Sequence, residues 1–175
     1  MIDQRLFTES GFLSLGETSE RIELFDGSLH ITPRGTPRHQ HVSASLRAAL
    51  PPAGLHILGA VNVRCGTDRI TIPDLVIAAD IDLDEFVVDA SAVRLVCEIL
   101  SPSNSTTDQV LKKHYYAAAG IPWYLLVDPK SGTMQLFQLD GESYREHSTA
   151  APGVPLRLTE PVDVSIDPAD LLPPS

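Results

Sequence analysis

The stretch Leu95-Val96-Cys97-Glu98-Ile99-Leu100 decides the fold. Five apolar residues surround one carboxylate, with none of the apolar–polar alternation of a strand that has a wet face. A run of this kind, from Val93 to Leu100, reads as a strand buried on both faces, so the chain must place a layer above it and another below. Tyr124 to Val127 reads the same way, ended by Asp128-Pro129. A helix is expected before these strands and another among them. From Arg38 to Leu50 the residues Val42, Leu46, Ala49 and Leu50 recur at helical spacing, and Pro51-Pro52 stops the helix. Ser105-Thr106-Thr107-Asp108 has capping-box spacing and opens a helix to about Ala119, with Gly120 as its C-cap. The pattern is α/β (α+β), a mixed β-sheet flanked by helices.

Hairpins lie outward of this centre. Arg21 to Phe25 alternates like a strand, Asp26-Gly27 is a type I′ turn signal, and Leu29 to Thr32 returns. Val61 to Cys65 and Ile70 to Ala79 read as strands around Gly66-Thr67-Asp68. Met134 to Leu139 and Tyr144 to His147 form a C-terminal hairpin across Asp140-Gly141. The segment after Leu158 is Pro-rich and expected to be irregular. The organisation expected is an N-terminal extension over 1–19, one domain over 20–158 and a C-terminal tail over 159–175.

The 175 residues suit one domain, and 43% apolar against 21% charged residues fits an ordinary core. No run approaches the ~18 apolar residues of a membrane span. The N-terminus carries no basic region followed by an apolar run, so a cytoplasmic protein without a membrane partner is expected. Cys65 and Cys97 both lie in apolar, strand-like segments. With no CxxC pair, a zinc ribbon is excluded and a disulfide framework is not expected.

The formal net charge of −10 argues against a general nucleic-acid coat. The charge is uneven, however. Arg34 to Arg69 holds five arginines and one acid, whereas Asp74 to Glu98 holds seven acids and one arginine. A basic face beside an acidic centre suits a metal site that handles a phosphodiester, and scattered solvated charge is the plainer account.

Three acids stand among aliphatic neighbours: Asp74 in Ile72-Pro73-Asp74-Leu75-Val76-Ile77, Glu98 in its run, and Glu23 in Ile22-Glu23-Leu24. A buried carboxylate needs a basic partner, a proton or a metal ion. Two such strands side by side bring Asp74 and Glu98 together, where a divalent cation would relieve their repulsion, and oxygen ligands favour Mg²⁺ or Mn²⁺. The bland alternatives are a turn acid for Asp74, a salt-bridged residue for Glu98 and a solvated hairpin face for Glu23. Lys112 shares a helix face with Asp108 and Tyr116. It is either a surface partner of Asp108 or a cation aimed at the carboxylates, where it could orient water and stabilise developing phosphorane charge. Arg38, His39 and Gln40 form a polar cluster for substrate contact at the start of the first helix. His39 and His41 do not share a face, so a zinc pair is not expected.

These segments together resemble the Uma2 family (DUF820), within the PD-(D/E)xK restriction endonuclease-like superfamily. Glu20 to Gly27 looks like its opening hairpin, Pro37-Arg38-His39-Gln40 its first helix, and Ile72 to Val76 its "PD" strand. Leu95 to Ser103, followed by Asp108, Lys112, Tyr116, Ala119 to Pro122 and Leu126 to Pro129, resembles its most diagnostic region. The resemblance implies a restriction endonuclease-like core, with Asp74 and Glu98 as Mg²⁺ ligands and the Ile99 carbonyl as a third. In the superfamily's usual signature a lysine sits two residues after the second acid. Leu100 stands there, so the lysine role passes to Lys112, and Glu23 matches an acid that precedes the core strands.

Two functions are expected to compete. One is a Mg²⁺-dependent endonuclease-like hydrolase of nucleic-acid phosphodiesters, DNA before RNA, working as a homodimer. The other is a catalytically inactive nuclease-fold interaction or accessory module. Hydrolysis of a small phosphoester is a third, weaker option.

Overall fold

The structure is a computed structural model that describes residues 6–102 and 106–174, and at 107 and 108 the backbone alone. In chain order the elements are α1 (Glu9–Leu13), β1 (Arg21–Phe25), β2 (Ser28–Thr32), α2 (Pro37–Ala49), β3 (His56–Leu58), β4 (Val63–Gly66), β5 (Arg69–Thr71), β6 (Leu75–Ala78), β7 (Val88–Asp89), β8 (Val93–Ile99), α3 (Thr106–Ala118), β9 (Trp123–Val127), β10 (Met134–Asp140), β11 (Ser143–Ala150), β12 (Leu156–Leu158) and β13 (Val164–Ile166). The Ser105 capping-box expectation and the Asp108 side chain lie outside the described residues.

A six-stranded sheet runs β11-β10-β9-β8-β6-β3, and β8 is central: parallel to β9 and antiparallel to β6. Side chains alternate across a strand, so each central strand feeds two layers. Leu75 and Ile77 of β6 and Leu95, Cys97 and Ile99 of β8 pack with Val42, Leu46 and Leu50 from α2 and its end. Val76, Ala78 and Val96 face the other way and pack with Tyr115 and Tyr116 of α3. Glu98 shares parity with Val96, so it faces α3. The double burial expected from the Leu95–Leu100 run is met by one helix on each face.

A five-stranded sheet, β2-β1-β5-β4-β7, carries the N-terminal hairpin. Asp26 and Gly27 turn it with consecutive positive φ angles of 49° and 82°, the geometry of a type I′ turn. The single strand expected over Ile70 to Ala79 is in fact two. β5 belongs to the five-stranded sheet and β6 to the six-stranded one, with Ile72-Pro73-Asp74 between them. Pro73 has no N–H for a ladder, so pairing breaks there and the chain crosses between sheets. This crossing puts Asp74 at the junction of the two sheets.

The tail corrects a second expectation. After Leu158 the chain is ordered: β13 pairs with β12, a 3₁₀ turn follows over Pro168–Leu171, and Val162, Ile166 and Leu171 join the core on the α2 side. Proline fills the turns, while the apolar residues fall at spacings too irregular for a helical or strand period to reveal. The short elements α1, β3 and β7 also fell below the reach of periodicity. Thr8 caps α1 by accepting a hydrogen bond from Gly11 N at 3.2 Å.

Candidate active site

Each chemistry-bearing residue is positioned by a different element. The antiparallel register pairs Leu75 with Cys97, so the residue before β6 comes beside the end of β8. There Asp74 is 5% exposed, and its Oδ2 accepts a hydrogen bond from Ile99 N at 2.8 Å. Arg21 Nη1 donates to Asp74 Oδ1 at 2.9 Å, and His39 Nε2 lies 3.2 Å from Oδ2. Burial works to raise the Asp74 pKa, but the His39 hydrogen bond and the Arg21 charge outweigh it and hold the carboxyl at about 2.

Glu98 is 3% exposed. Its Oε1 accepts from Lys112 Nζ at 3.1 Å and from the Tyr116 hydroxyl. Tyr116 lies one helical turn after Lys112, so both α3 side chains reach the same carboxylate. Glu98 Oε2 is buried with no hydrogen-bond partner. Burial raises the Glu98 pKa, Lys112 opposes the rise, and Asp74 adds to it.

Lys112 Nζ also lies 2.8 Å from Glu23 Oε1. Glu23 is only 1% exposed, and Oε1 accepts a further hydrogen bond from Ile72 N at 2.7 Å. The solvated-face reading of Glu23 is therefore overturned, as is the surface-pair reading of Lys112. Burial pulls the Lys112 pKa down, but Glu98 and Glu23 more than offset it, so the ammonium stays charged.

The first strand, β1, thus contributes charges of both signs. Arg21 and Glu23 are two residues apart and share a strand face: one holds Asp74, the other Lys112. Arg21 was missed in the sequence, although its i, i+2 relation to a suspected buried acid was the available signal. The helical spacing puts Tyr116 on the Lys112 face, and the structure gives it Glu98 as a partner.

The structure gathers these residues into two clusters, Asp74 with His39, Arg21 and the Ile99 backbone, and Glu98 with Lys112 and Glu23, joined through the Ile72 backbone that Arg21 and Glu23 both contact. Gln40 and His39 line a cleft of about 1050 Å³ that also borders Arg21, Arg34, Arg47 and Asp74. Arg38 is exposed on α2, outside that lining. The arginine-rich stretch divides: Arg34 and Arg47 face the cleft, whereas Arg64 pairs with Glu9 and Asp89, and Arg69 pairs with Asp26. A second, far smaller opening meets Glu23, Glu98 and Lys112 beside His30 and Gln109. Cys65 and Cys97 are buried free thiols.

The donor set fits a hard divalent cation. Asp74, Glu98 and backbone carbonyl oxygen are the ligands Mg²⁺ and Mn²⁺ take, and Glu98 Oε2 is a buried acceptor with capacity to spare. Among the described residues no three His, Cys, Asp or Glu side chains are grouped to share one ion. Water or a substrate phosphate must therefore complete any shell, as is usual for Mg²⁺.

This architecture defines an α+β protein with a restriction endonuclease-like core. The model of the Uma2 family, described as "Putative restriction endonuclease", matches residues 10–169, and the chain belongs to that family. Among solved structures it is similar to a "putative nuclease belonging to DUF820" from Anabaena variabilis. That similarity has a TM-score of 0.77 at 18% identity, covering 94% of this chain and 97% of the other. No curated protein matches the chain. Among the described residues no helix is long and apolar enough to cross a membrane.

Proposed function

We propose that this protein hydrolyses nucleic-acid phosphodiesters, DNA foremost, with a divalent cation held by Asp74, Glu98 and the Ile99 carbonyl. The observation that carries this reading is two buried carboxylates at adjoining strand ends, Asp74 bordering the open cleft and Glu98, with an unpartnered buried oxygen, meeting the smaller opening. When bound, Mg²⁺ or Mn²⁺ supplies charge neutralisation at the phosphodiester and a bound water of lowered pKa.

The chain's own groups have distinct tasks. Lys112 remains an ammonium between Glu98 and Glu23, so it serves as a fixed positive donor that orients water and stabilises charge developing on phosphorus oxygens. Glu23 positions it directly from Oε1, and Tyr116 does so through Glu98, whose Oε1 accepts from both Lys112 and Tyr116. His39 orients Asp74 from the α2 side and also lines the cleft, where it can contact substrate as well. Gln40, Arg34 and Arg47 line the path that a phosphate backbone would take, and Arg38 stands outside it.

The test is plasmid nicking in Mg²⁺ or Mn²⁺, with EDTA, Asp74→Asn and Glu98→Gln as controls. Cleavage that needs the metal and both acids is the expected result. Cleavage that survives both substitutions would sink the assignment. Light scattering beside the assay tests the homodimer, which would set two such sites against two strands.

A specific observation favours the second reading, a nuclease-fold interaction module without catalysis. Both Asp74 oxygens already have partners inside the protein. Failure to bind Mn²⁺ under any condition, together with failure to cut, would select it.

A further inference from the structure

The partners of Asp74 raise a question that the metal reading leaves open. A carboxylate that is to hold a cation usually faces water or other acids in the protein, yet here Oδ1 is taken by a guanidinium. Arg21 Nη1 lies 2.9 Å from Asp74 Oδ1, and Nη2 is bound to the Ile72 carbonyl on the crossing segment. The Arg21 side chain is 20% exposed and borders the 1050 Å³ cleft, so it sits on the solvent side of a carboxylate that is itself 3% exposed. Its Nε is buried and has no hydrogen-bond partner. A guanidinium normally uses its donors in a fork, and leaving one unmade in a buried position is costly.

We propose that Arg21 is a resident cation that competes with the divalent metal for Asp74. This inference rests on the metal reading of the site given above. Arg21 is a positioning residue in this scheme. It neutralises Asp74 while no ion is bound, so that the buried acid keeps a counter-charge at the junction of the two sheets. An ion arriving at Asp74 meets a unit positive charge next to it and competes with the Arg21 hydrogen bond at Oδ1, while Oδ2 is held by Ile99 N and His39. Metal affinity is thereby set lower than the donor oxygens alone would give. Lys112 does not play this part, because it binds Glu98 Oε1 and Glu23 and leaves Glu98 Oε2 free. The two acids are therefore unequal: Glu98 keeps an open oxygen for the ion, while Asp74 gives one up only in exchange.

The experiment is calorimetric titration of Mn²⁺ alone into the full chain, as wild type, Arg21→Gln and Arg21→Lys, with thermal melting of each in EDTA. Removing a unit charge beside a divalent ion is expected to tighten Mn²⁺ binding about tenfold or more in Arg21→Gln. Arg21→Lys keeps the charge and is expected to bind within about threefold of wild type. The metal-free melting temperature of Arg21→Gln is expected to fall, because Asp74 loses its counter-charge, and Mn²⁺ is expected to restore it. A merely structural role would weaken metal binding and melting together. Equal or weaker Mn²⁺ binding in Arg21→Gln overturns the inference and leaves the metal site standing. So does Arg21→Lys binding as tightly as Arg21→Gln. Failure of all three proteins to bind Mn²⁺ overturns both this inference and the metal reading. Binding by Arg21→Gln alone supports both.

Discussion

Lys112 Nζ lies 2.8 Å from Glu23 Oε1, joining a helix that follows the central strand to a hairpin nearly ninety residues earlier. Both groups are almost fully buried, and Glu98 lies on the other side of the ammonium at 3.1 Å. One cation between two carboxylates leaves the cluster with spare negative charge. This holds Lys112 protonated and leaves the site receptive to a further cation.

Removing that ammonium should be expensive. Lys112→Met leaves two buried carboxylates without their shared counter-charge, a loss of about 3–5 kcal/mol by analogy with other broken buried pairs. Urea unfolding measures it. Adding Glu23→Gln to Lys112→Met should recover part of the loss, because one unpaired charge is then removed. Additive losses in the double variant would show that the three groups are not coupled.

Glu98→Gln should keep a cooperative melt and abolish Mn²⁺ binding. The amide is isosteric, retains an acceptor for Lys112 and Tyr116, and removes the charge that an ion needs. Calorimetry of the variant beside wild type checks this without knowledge of the substrate. Undiminished binding in the variant would move the ion away from Glu98.

The hairpin turn has a pH-dependent link to α3. The Tyr115 hydroxyl donates to Asp26 Oδ2 at 2.7 Å, and Arg69 pairs with Oδ1. The Tyr115 hydrogen bond first, then Arg69, hold the Asp26 carboxyl below its ordinary 3.8. A carboxyl lowered in the folded state contributes stability above its unfolded pKa and loses it as pH falls through the folded value. Asp26 is about half exposed, so screening limits the contribution to below about 1 kcal/mol. Asn tolerates the positive φ of this position. The melting-temperature gap between wild type and Asp26→Asn should therefore be steady from pH 7 to 5 and shrink as pH falls below the ordinary 3.8 and through the lowered folded value. A gap that stays undiminished to the lowest pH at which both proteins still melt would rule out this linkage.

The tail should behave as core. Ile166 and Leu171 are 4% and 2% exposed among α2-side residues, so Ile166→Ala or Leu171→Ala should each cost about 2–4 kcal/mol. Chemical denaturation gives the value directly. A loss under 0.5 kcal/mol, the usual effect of a surface substitution, would mean that the segment after Leu158 packs only loosely.

Much of this protein is legible in the chain itself. The Leu95–Leu100 run demanded two covering layers, because a strand without polar alternation has no face for water. The Asp26-Gly27 turn, the α2 period and the Gly120 stop are likewise local, set by backbone sterics and the spacing of apolar residues. The suspicion attached to Asp74, Glu98 and Glu23 was also local, since a carboxylate among aliphatic neighbours must find a partner.

Which partner each acid found was decided by tertiary structure. Arg21 reaches Asp74 across 53 positions and Glu23 meets Lys112 across 89, and no periodicity carries information over such separations. The break at Pro73 reads in the sequence as a blemish in one strand. Only in three dimensions does it become the crossing between two sheets that delivers Asp74 to the end of β8. The tail's burial is of the same kind, because Val162, Ile166 and Leu171 have no pattern of their own and are apolar for a surface supplied by α2 and the central sheet. Local chemistry states that a charge must be compensated or an apolar group covered. The long-range packing free energy of the whole fold selects the group that does it.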